Sequence, residues 1–339
     1  MLNAEYLWID PKENIRSKTK ILRNHTLNSE GLLSQELPMW TFDGSSTEQA
    51  SSTDSECVLS PVCYVPNPID GGIVVLCEIF DHTGKPHRDN HRHALRHLLK
   101  NVGLGISPMM GVEQEYTLFT TSGTKRVPYG WRTDGIEQAP QGDYYCGVGA
   151  GKTFGRPMVL EHMKTCLEAG LLYEGYNAEV MPSQWEFQIG ASDPLTVSDH
   201  LWIARYFLLR LAEKMDIEVS FEAKPLLGDW NGAGLHTNFS TQEMRDSDGI
   251  KAIFNACEKL EKTHKENLKE YGTGSELRLT GAHETCSYQD FKWGVGDRTA
   301  SIRIPLMVEQ DGKGYFEDRR PNANANPYRV ATAISRTVL

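Results

Sequence analysis

Five glutamates and one histidine stand where such side chains are expensive to leave alone. Glu113 and Glu115 lie two apart in the apolar run Val112 to Phe119, and Glu179 and Glu186 bracket Val180-Met181-Pro182-Ser183-Gln184-Trp185. His236 closes Asn231-Gly232-Ala233-Gly234-Leu235-His236, and Glu317 lies in Tyr315-Phe316-Glu317-Asp318-Arg319-Arg320. A carboxylate flanked by buried aromatics is costly unless it is paired or holds a cation. Singly, each glutamate reads as a surface or ion-paired residue. Jointly, carboxylate oxygens and an imidazole with no thiolate suit a hard divalent ion, Mg²⁺ or Mn²⁺, better than structural Zn²⁺. Arg278, Arg298, Arg303, Arg319 and Arg320 crowd the last third of the chain. Guanidinium forks bind carboxylates and phosphates bidentately, so acids for metals with arginines for anions point to metal-assisted phosphoryl transfer. Arg–Glu pairs that merely hold the fold are the alternative that spacing leaves open. Gly147-Val148-Gly149-Ala150-Gly151-Lys152-Thr153 imitates a phosphate-binding P-loop, but Cys146 stands where its first glycine belongs and Pro157 follows soon after. A flexible glycine loop is the better reading.

Strands must position most of these acids. Glu113 and Glu115 fall on one strand face because side chains alternate, and Trp185, Phe187 and Ile189 alternate with Glu186 and Gln188. Earlier, the short apolar runs Cys57 to Val65 and Ile73 to Phe80, separated by Gly, Pro, Ser and Asp, predict a small strand-rich unit. The hydroxyl-rich loop Trp40 to Thr47 precedes them. Asn90 to Val102 reads as a helix closed by Gly103, which puts the expected domain boundary near residue 90, giving units 1–90 and 91–339. Ser198 is the expected cap of a helix carrying Leu201, Leu208, Leu211 and Met215. Ile250, Ile253, Phe254, Cys257 and Leu260 mark another, expected to end around Gly272.

With 339 residues, 39% apolar and 24% charged, the chain has the composition of an ordinary globular protein rather than of a disordered, collagenous or coiled-coil one. Lys and Arg total 35 against 45 acids, a formal charge of −10, so nucleic acid is not an expected partner. The uncharged, proline-broken stretch Cys57 to Ile69 falls short of the roughly 20 apolar residues of a membrane span, and none is expected. The start Met1-Leu2-Asn3-Ala4-Glu5 lacks the features of a secretory signal. Seven cysteines without a Cys-x-x-Cys pair read as reduced thiols, and the expected location is cytoplasmic.

Four longer strings are specific enough to carry a resemblance. Val112-Glu113-Gln114-Glu115-Tyr116-Thr117, Asn177 through Phe187, Asn231 through Asn238 and Tyr315 through Pro321 resemble glutamine synthetase, in particular its short, eukaryotic-type class, in the right order over nearly the whole chain. The resemblance implies an α+β architecture, with a small β-grasp-like N-terminal domain and a catalytic domain of curved antiparallel sheet flanked by helices. It implies a double-ring homo-oligomer, a decamer, with active sites between subunits. It further implies ATP-dependent joining of glutamate and ammonia through a γ-glutamyl phosphate.

Carried over by position, Glu115, Glu179 and Glu186 match the ligands of one metal, and Glu113, His236 and Glu317 those of the metal nearer the transferred phosphate. Asp43 matches the acid that helps bind ammonium and take its proton, and Glu284 a flap glutamate that closes over the intermediate. Asn231, Gly232, Arg278 and Arg319 match glutamate-binding positions, and Arg298 and Arg303 those that neutralise the nucleotide and transferring phosphoryl group. Met109 stands where a tryptophan beside the adenine is common, Ala191 where a proline is, and Leu306 where an arginine is. A ligase using another amine, a non-catalytic glutamate or nucleotide sensor, and a P-loop switch are the competing readings. Retention of Asp43, Glu284 and all six matched ligands favours the ammonia ligase.

Overall fold

Alternating apolar and polar residues in the first 80 positions build a sheet of their own. In the computed structural model, which describes residues 1–28, 30–103, 105–122, 125–132, 138–283 and 285–339, this sheet contains β1 (Leu2–Ile9), β2 (Ile15–Leu22), β3 (Trp40–Asp43), β4 (Glu56–Pro66) and β5 (Ile73–Phe80). Their order is β2-β1-β5-β4-β3, with β1 and β5 parallel and the other pairs antiparallel. Alternation divides the two faces between two cores. Ala4, Tyr6, Trp8, Val75 and Ile79 join a small core with Phe42, Cys57 and Leu59, whereas Leu7, Ile9, Val74 and Leu76 join the main core of the molecule.

The second sheet contains β6 (Met109–Ser122), β7 (Lys125–Pro128), β8 (Tyr173–Ala178), β9 (Gln184–Ser192), β10 (Glu218–Ser220), β11 (Leu235–Ser240), β12 (Trp293–Val295), β13 (Ile302–Ile304) and β14 (Phe316–Asp318). Its main path runs β12-β13-β14-β11-β6-β9-β8, with β7 and β10 pairing onto β6. The sheet is antiparallel apart from the pair β12 and β13, which run parallel. With helices on its core side, the α+β expectation is met.

The helix Pro194–Met215 buries Val197, Leu201, Trp202, Ala204 and Leu208 against this sheet. Its cap is Asp193 rather than the expected Ser198: Asp193 accepts from the N–H groups of Leu195 and Thr196, and Pro194 takes the first helical position, where its missing N–H costs nothing. Ser198 lies inside the helix and donates to the Pro194 carbonyl. The helix Ile250–Lys262 ends at Thr263, earlier than the expected Gly272, and a short helix, His264–Leu268, follows it. Asn90 caps the helix His91–Lys100 through His93 N–H. No helix among the described residues is long and apolar enough to cross a membrane.

One ion-pair cluster ties the two sheets' supports together. Arg92 grips Asp199 with Nε and Nη2 at 2.9 and 2.8 Å and reaches Glu78 on β5 with Nη1 at 2.9 Å; the Tyr328 hydroxyl also donates to Asp199 at 2.6 Å. Burial pushes the Glu78 carboxyl up, but Arg96 and Arg92 outweigh it and hold it below the ordinary range. Removing one partner from such a cluster leaves buried charge uncompensated. Arg92→Ala is therefore expected to lower unfolding free energy by about 3 kcal/mol, measured by denaturant titration at fixed protein concentration. A Glu78 pKa that is depressed on folding stabilises the native state above the unfolded-chain value of 4.5, and that part of the stability fades as pH falls below it. Glu78→Gln should flatten the acid limb of the stability curve.

Candidate functional site

Strand register, more than any loop, assembles the acids. Across β6 and β9, Glu115 stands opposite Glu186, and across β6 and β11, Glu113 stands opposite His236. Across β14, Glu317 pairs with Asn238 on one side and Arg303 on the other. Directly opposed residues share a face, as do residues two apart, so Glu113, Glu115, Glu186, His236, Arg303 and Glu317 all project from one side of the sheet. The other side carries Val112, Tyr116, Phe187, Ile189, Leu235 and Phe239 into the main core.

These side chains line a cleft of about 330 Å³ that also takes in Glu179, Asn231, Gly232, Arg278, Arg298 and Arg319. His236 Nδ1 lies 3.4 Å from Glu113 and 3.6 Å from Glu317, and its Nε2 lies 3.9 Å from Glu115. Two groups of possible ligand atoms close within 4.8 Å among the described residues: Glu113, His236 and Glu317, and Glu115, Glu186 and His236. The first coincides with one expected ligand set. The second contains two members of the other, while Glu179 lies outside both, its carboxylate accepting from Asn177 Nδ2 at 2.8 Å.

The cleft holds more negative charge than it neutralises. Burial, then the nearby Glu113, Glu179 and Glu115 carboxylates, push the Glu186 carboxyl well above the ordinary range, although Gln188 donates a short hydrogen bond to it. Burial raises Glu113 as well, but His236, the Asn238 amide at 3.0 Å and the charge of Arg319 together hold it low. Hard oxygen donors that force one of their number to keep a proton fit a divalent cation, which supplies the missing positive charge. Cationic groups gather at the Glu317 end. Arg319 and Arg303 each donate to one oxygen of Glu317, at 2.7 and 2.8 Å, and the buried Nε of Arg303 has no partner among the described residues.

Asn231 and Gly232 belong to a tightly fitted loop. A side chain at Gly234 would put its Cβ 2.4 Å from Arg278 Nη2 and 3.0 Å from His236 Nε2, so glycine is required for the close approach. The Gly234 N–H donates to Glu115 at 2.7 Å. Arg278 is fully buried; its Nη atoms donate to the carbonyls of Arg319, Arg320 and Pro321, and burial lowers its pKa to about 10, which leaves it charged at neutral pH.

Two expected site residues are not on this cleft's walls as described. Asp43 stands exposed at the end of β3, capping the single turn Gly44–Thr47 and accepting from Ser45 N–H and the Ser45 and Ser46 hydroxyls, which hold its carboxyl below the ordinary range. Glu284 lies outside the described residues. Conversely, Asn177, Gln188 and Asn238 orient the acids without having been singled out from the sequence, although Gln188 and Asn238 sit two positions from Glu186 and His236 and share their face. Tyr145, His283 and Thr285 reach the cleft from loops, where no periodicity marks them. The glycine-rich loop is a set of turns ahead of the helix Arg156–Glu168, with Thr153 donating to the Gly147 carbonyl.

Residues 87–339 match the family described as glutamine synthetase, catalytic domain. The glutamine synthetase of Suillus bovinus is 48% identical over 340 residues, covering 100% of this chain and 93% of that protein. That of Streptomyces viridochromogenes is 50% identical over 341 residues, covering 98% and 96%, and that of Saccharomyces cerevisiae is 50% identical over 337, covering 99% and 88%. In fold, the chain is similar to the Plasmodium falciparum glutamine synthetase seen by cryo-electron microscopy, with a TM-score of 0.79 at 20% identity over 99% of this chain and 71% of that one. With relatives this similar along its whole length, the chain belongs to the glutamine synthetase family.

Proposed function

We propose that the chain is a glutamate–ammonia ligase. The γ-phosphoryl group of ATP passes to the γ-carboxylate of glutamate, and ammonia then attacks the acyl carbon of γ-glutamyl phosphate, expels phosphate and loses a proton, leaving glutamine, ADP and phosphate. The observation that carries this reading is the sheet face on which clustered carboxylates end against Arg303 and Arg319.

Glu115, Glu179 and Glu186 would hold one divalent ion, Mg²⁺ or Mn²⁺, and Glu113, His236 and Glu317 a second. Such ions, when bound, supply charge neutralisation of the triphosphate and polarisation of its oxygens. The protein's own groups do the rest. Asn231 and Gly232 orient glutamate beside the buried charges of Arg278 and Arg319. Arg298 and Arg303 face the phosphoryl group, and the Arg303 Nε, without a partner among the described residues, is a donor that a phosphate oxygen would satisfy. Next to Glu113 lies a second cavity of about 380 Å³, walled by Met109, Ile189, Ala191, Phe239 and Tyr315, whose apolar surface suits the adenine ring. With Met109 for tryptophan, a thioether packs against the base in place of an aromatic stack.

Asp43, exposed and held ionised by its serines, suits use by a neighbouring subunit's cleft. There, with Glu284 on the flap, it would bind ammonium and take its proton. On this reading the site lies between subunits of a homo-oligomer, a double-ring decamer, in the cytoplasm.

The direct test is ADP and glutamine formation by purified protein given ATP, Mg²⁺ and glutamate, with and without ammonium. One glutamine per ADP, requiring both substrates, is expected; ADP release indifferent to glutamate, or faster turnover with another amine, would overturn the assignment. Glu317→Ala removes a cation ligand and leaves Arg303 and Arg319 unbalanced, so kcat/KM should fall at least about a hundredfold. In thermal denaturation, the stabilisation conferred by saturating Mn²⁺ on chelator-treated protein, about 2.7 kcal/mol per site at 100 times Kd, should shrink in the same variant. Co-expressed Asp43→Ala and Glu317→Ala subunits should regain up to about a quarter of wild-type activity, because random assembly pairs an intact Asp43 with an intact cleft at that frequency. Hybrids as inactive as their parents would place Asp43 in its own subunit's site.

A further inference from the structure

Glutamine is a costly residue to bury on β9. Gln184 is 1% exposed and lies on the face that carries Glu186 and Gln188, while Trp185, Phe187 and Ile189 take the other face into the main core. An amide hidden from water is unfavourable unless its groups are bonded, and Gln184 Oε1 has no partner among the described residues. What the side chain does is done by its other atom. Nε2 lies 2.8 Å from the Gly232 carbonyl, and since a carbonyl oxygen can only accept, it is the amide nitrogen that faces it.

That bond completes the support of one peptide group. The Gly232–Ala233 peptide has its carbonyl held by Gln184 and its N–H held by the Ala223 carbonyl at 2.9 Å. Two further bonds carry the hold along the loop: Gly234 N–H donates to the Glu115 carboxylate at 2.7 Å, and the Gly234 carbonyl accepts from Glu115 N–H at 3.0 Å. Glu115 and Gln184 thus pin the loop to β6 and β9, two strands that pair directly. Its opposite side is closed by packing, since a Cβ on Gly232 would come within 2.7 Å of both the Ala223 carbonyl oxygen and Arg278 Cγ. The Gly232–Ala233 peptide is therefore fixed at both ends and from the side. With it is fixed the stretch Asn231–Gly232, which forms part of the cleft wall.

We propose that Gln184 is a positioning residue for glutamate: its buried amide holds the Gly232 carbonyl, so that Asn231 and Gly232 meet the substrate at a set place beside Arg278. The inference rests on the assignment of Asn231 and Gly232 to glutamate binding. Without the amide one end of the peptide is released, the loop samples more orientations, and the need to order it again weakens the binding of glutamate. The Met109 cavity, which suits the adenine ring, has neither Gly232 nor Gln184 in its walls, so nucleotide binding is spared.

Gln184→Met keeps the length of the side chain and removes the donor. The turn bonds of the Gln184 backbone, from its N–H to the Met181 carbonyl and from Glu179 N–H to its own carbonyl, do not depend on the side chain. In the assembled enzyme this variant should raise the KM for glutamate roughly tenfold, and likewise the glutamate Kd read by calorimetry without ATP. The KM for ATP and the affinity for Mn²⁺ should stay within about twofold, with the melting temperature unchanged. Gln184→Asn, whose amide falls one methylene short of the carbonyl, should give a smaller rise of the same kind, and it decides where Gln184→Met fails to assemble. Asn231→Ala checks the loop assignment itself. A raised glutamate KM in Asn231→Ala beside an unchanged one in Gln184→Met would overturn the proposal and leave that assignment standing. Unchanged values in both would remove the assignment and the proposal with it. A rise in Gln184→Met alone would support the proposal through the Gly232 backbone and discard only the Asn231 side chain. If Gln184→Met raised both KM values together and lowered the melting temperature, the amide would serve the fold alone, and the proposal would fall.

Discussion

The pairing of β6 between β9 and β11 is the constraint on which the rest of the site depends. It sets Glu115 against Glu186 and Glu113 against His236, with Gln188 also opposite Glu113. A slip of one residue on β6 would drive Glu113 and Glu115 into the main core and bring Gln114 and Tyr116 to the cleft. Hydrophobic burial on the reverse face therefore enforces the register, and register enforces the crowding of carboxylates. The charge imbalance is a by-product of packing that a retained proton on Glu186, or a bound cation, relieves.

The strand that closes the cluster uses both faces in the same way. Along Glu317-Asp318-Arg319-Arg320, the odd positions turn to the cleft and the even ones to the interior, where Arg320 meets Asp318 at 2.7 Å and the Tyr271 hydroxyl donates to the same carboxylate at 2.8 Å. Arg320 and Asp318 are both almost wholly buried, and their mutual pairing keeps the guanidinium charged. Arg278 binds the carbonyls of this segment from the side. The position of Glu317 is thus fixed by the backbone beneath it as well as by its own arginine partners, a requirement for any group that must meet a cation and a phosphate together.

Period-two patterning made the acid-bearing strands legible, because Glu113 and Glu115, or Glu186 and Gln188, must share a face whatever lies beside them. Partners across a sheet carry no such signal. Nothing in the local sequence says that β11 lies against β6 or that β12 and β13 run parallel, so the two candidate ligand groups could be inventoried but not arranged. Glu179 illustrates the limit: its string marks it as a partner of Glu186, yet it falls outside both close groups, although its charge still acts on Glu186. The start of one helix was misplaced because a side chain overrode the apolar pattern, as Asp193-Pro194 does. Loop residues such as Tyr145 and His283 had no period to betray them.

The position of Asp43 follows from how the small sheet divides its faces. One side of β1 and β5 is spent on the main core, which anchors the unit to its own chain through Leu7, Val74 and Leu76, and the Arg92 cluster locks that seam. The edge strand β3 lies far along the sheet order from β1, past β5 and β4, and leaves Asp43 in solvent with its charge held by two serines. An exposed carboxylate whose hydrogen bonds are all local keeps its charge and orientation without help from the rest of its chain. Under the proposed function a rigid seam and a projecting acid would serve the same end: only if the small sheet cannot swing relative to the cleft would its outer edge arrive at a defined place on an adjoining subunit.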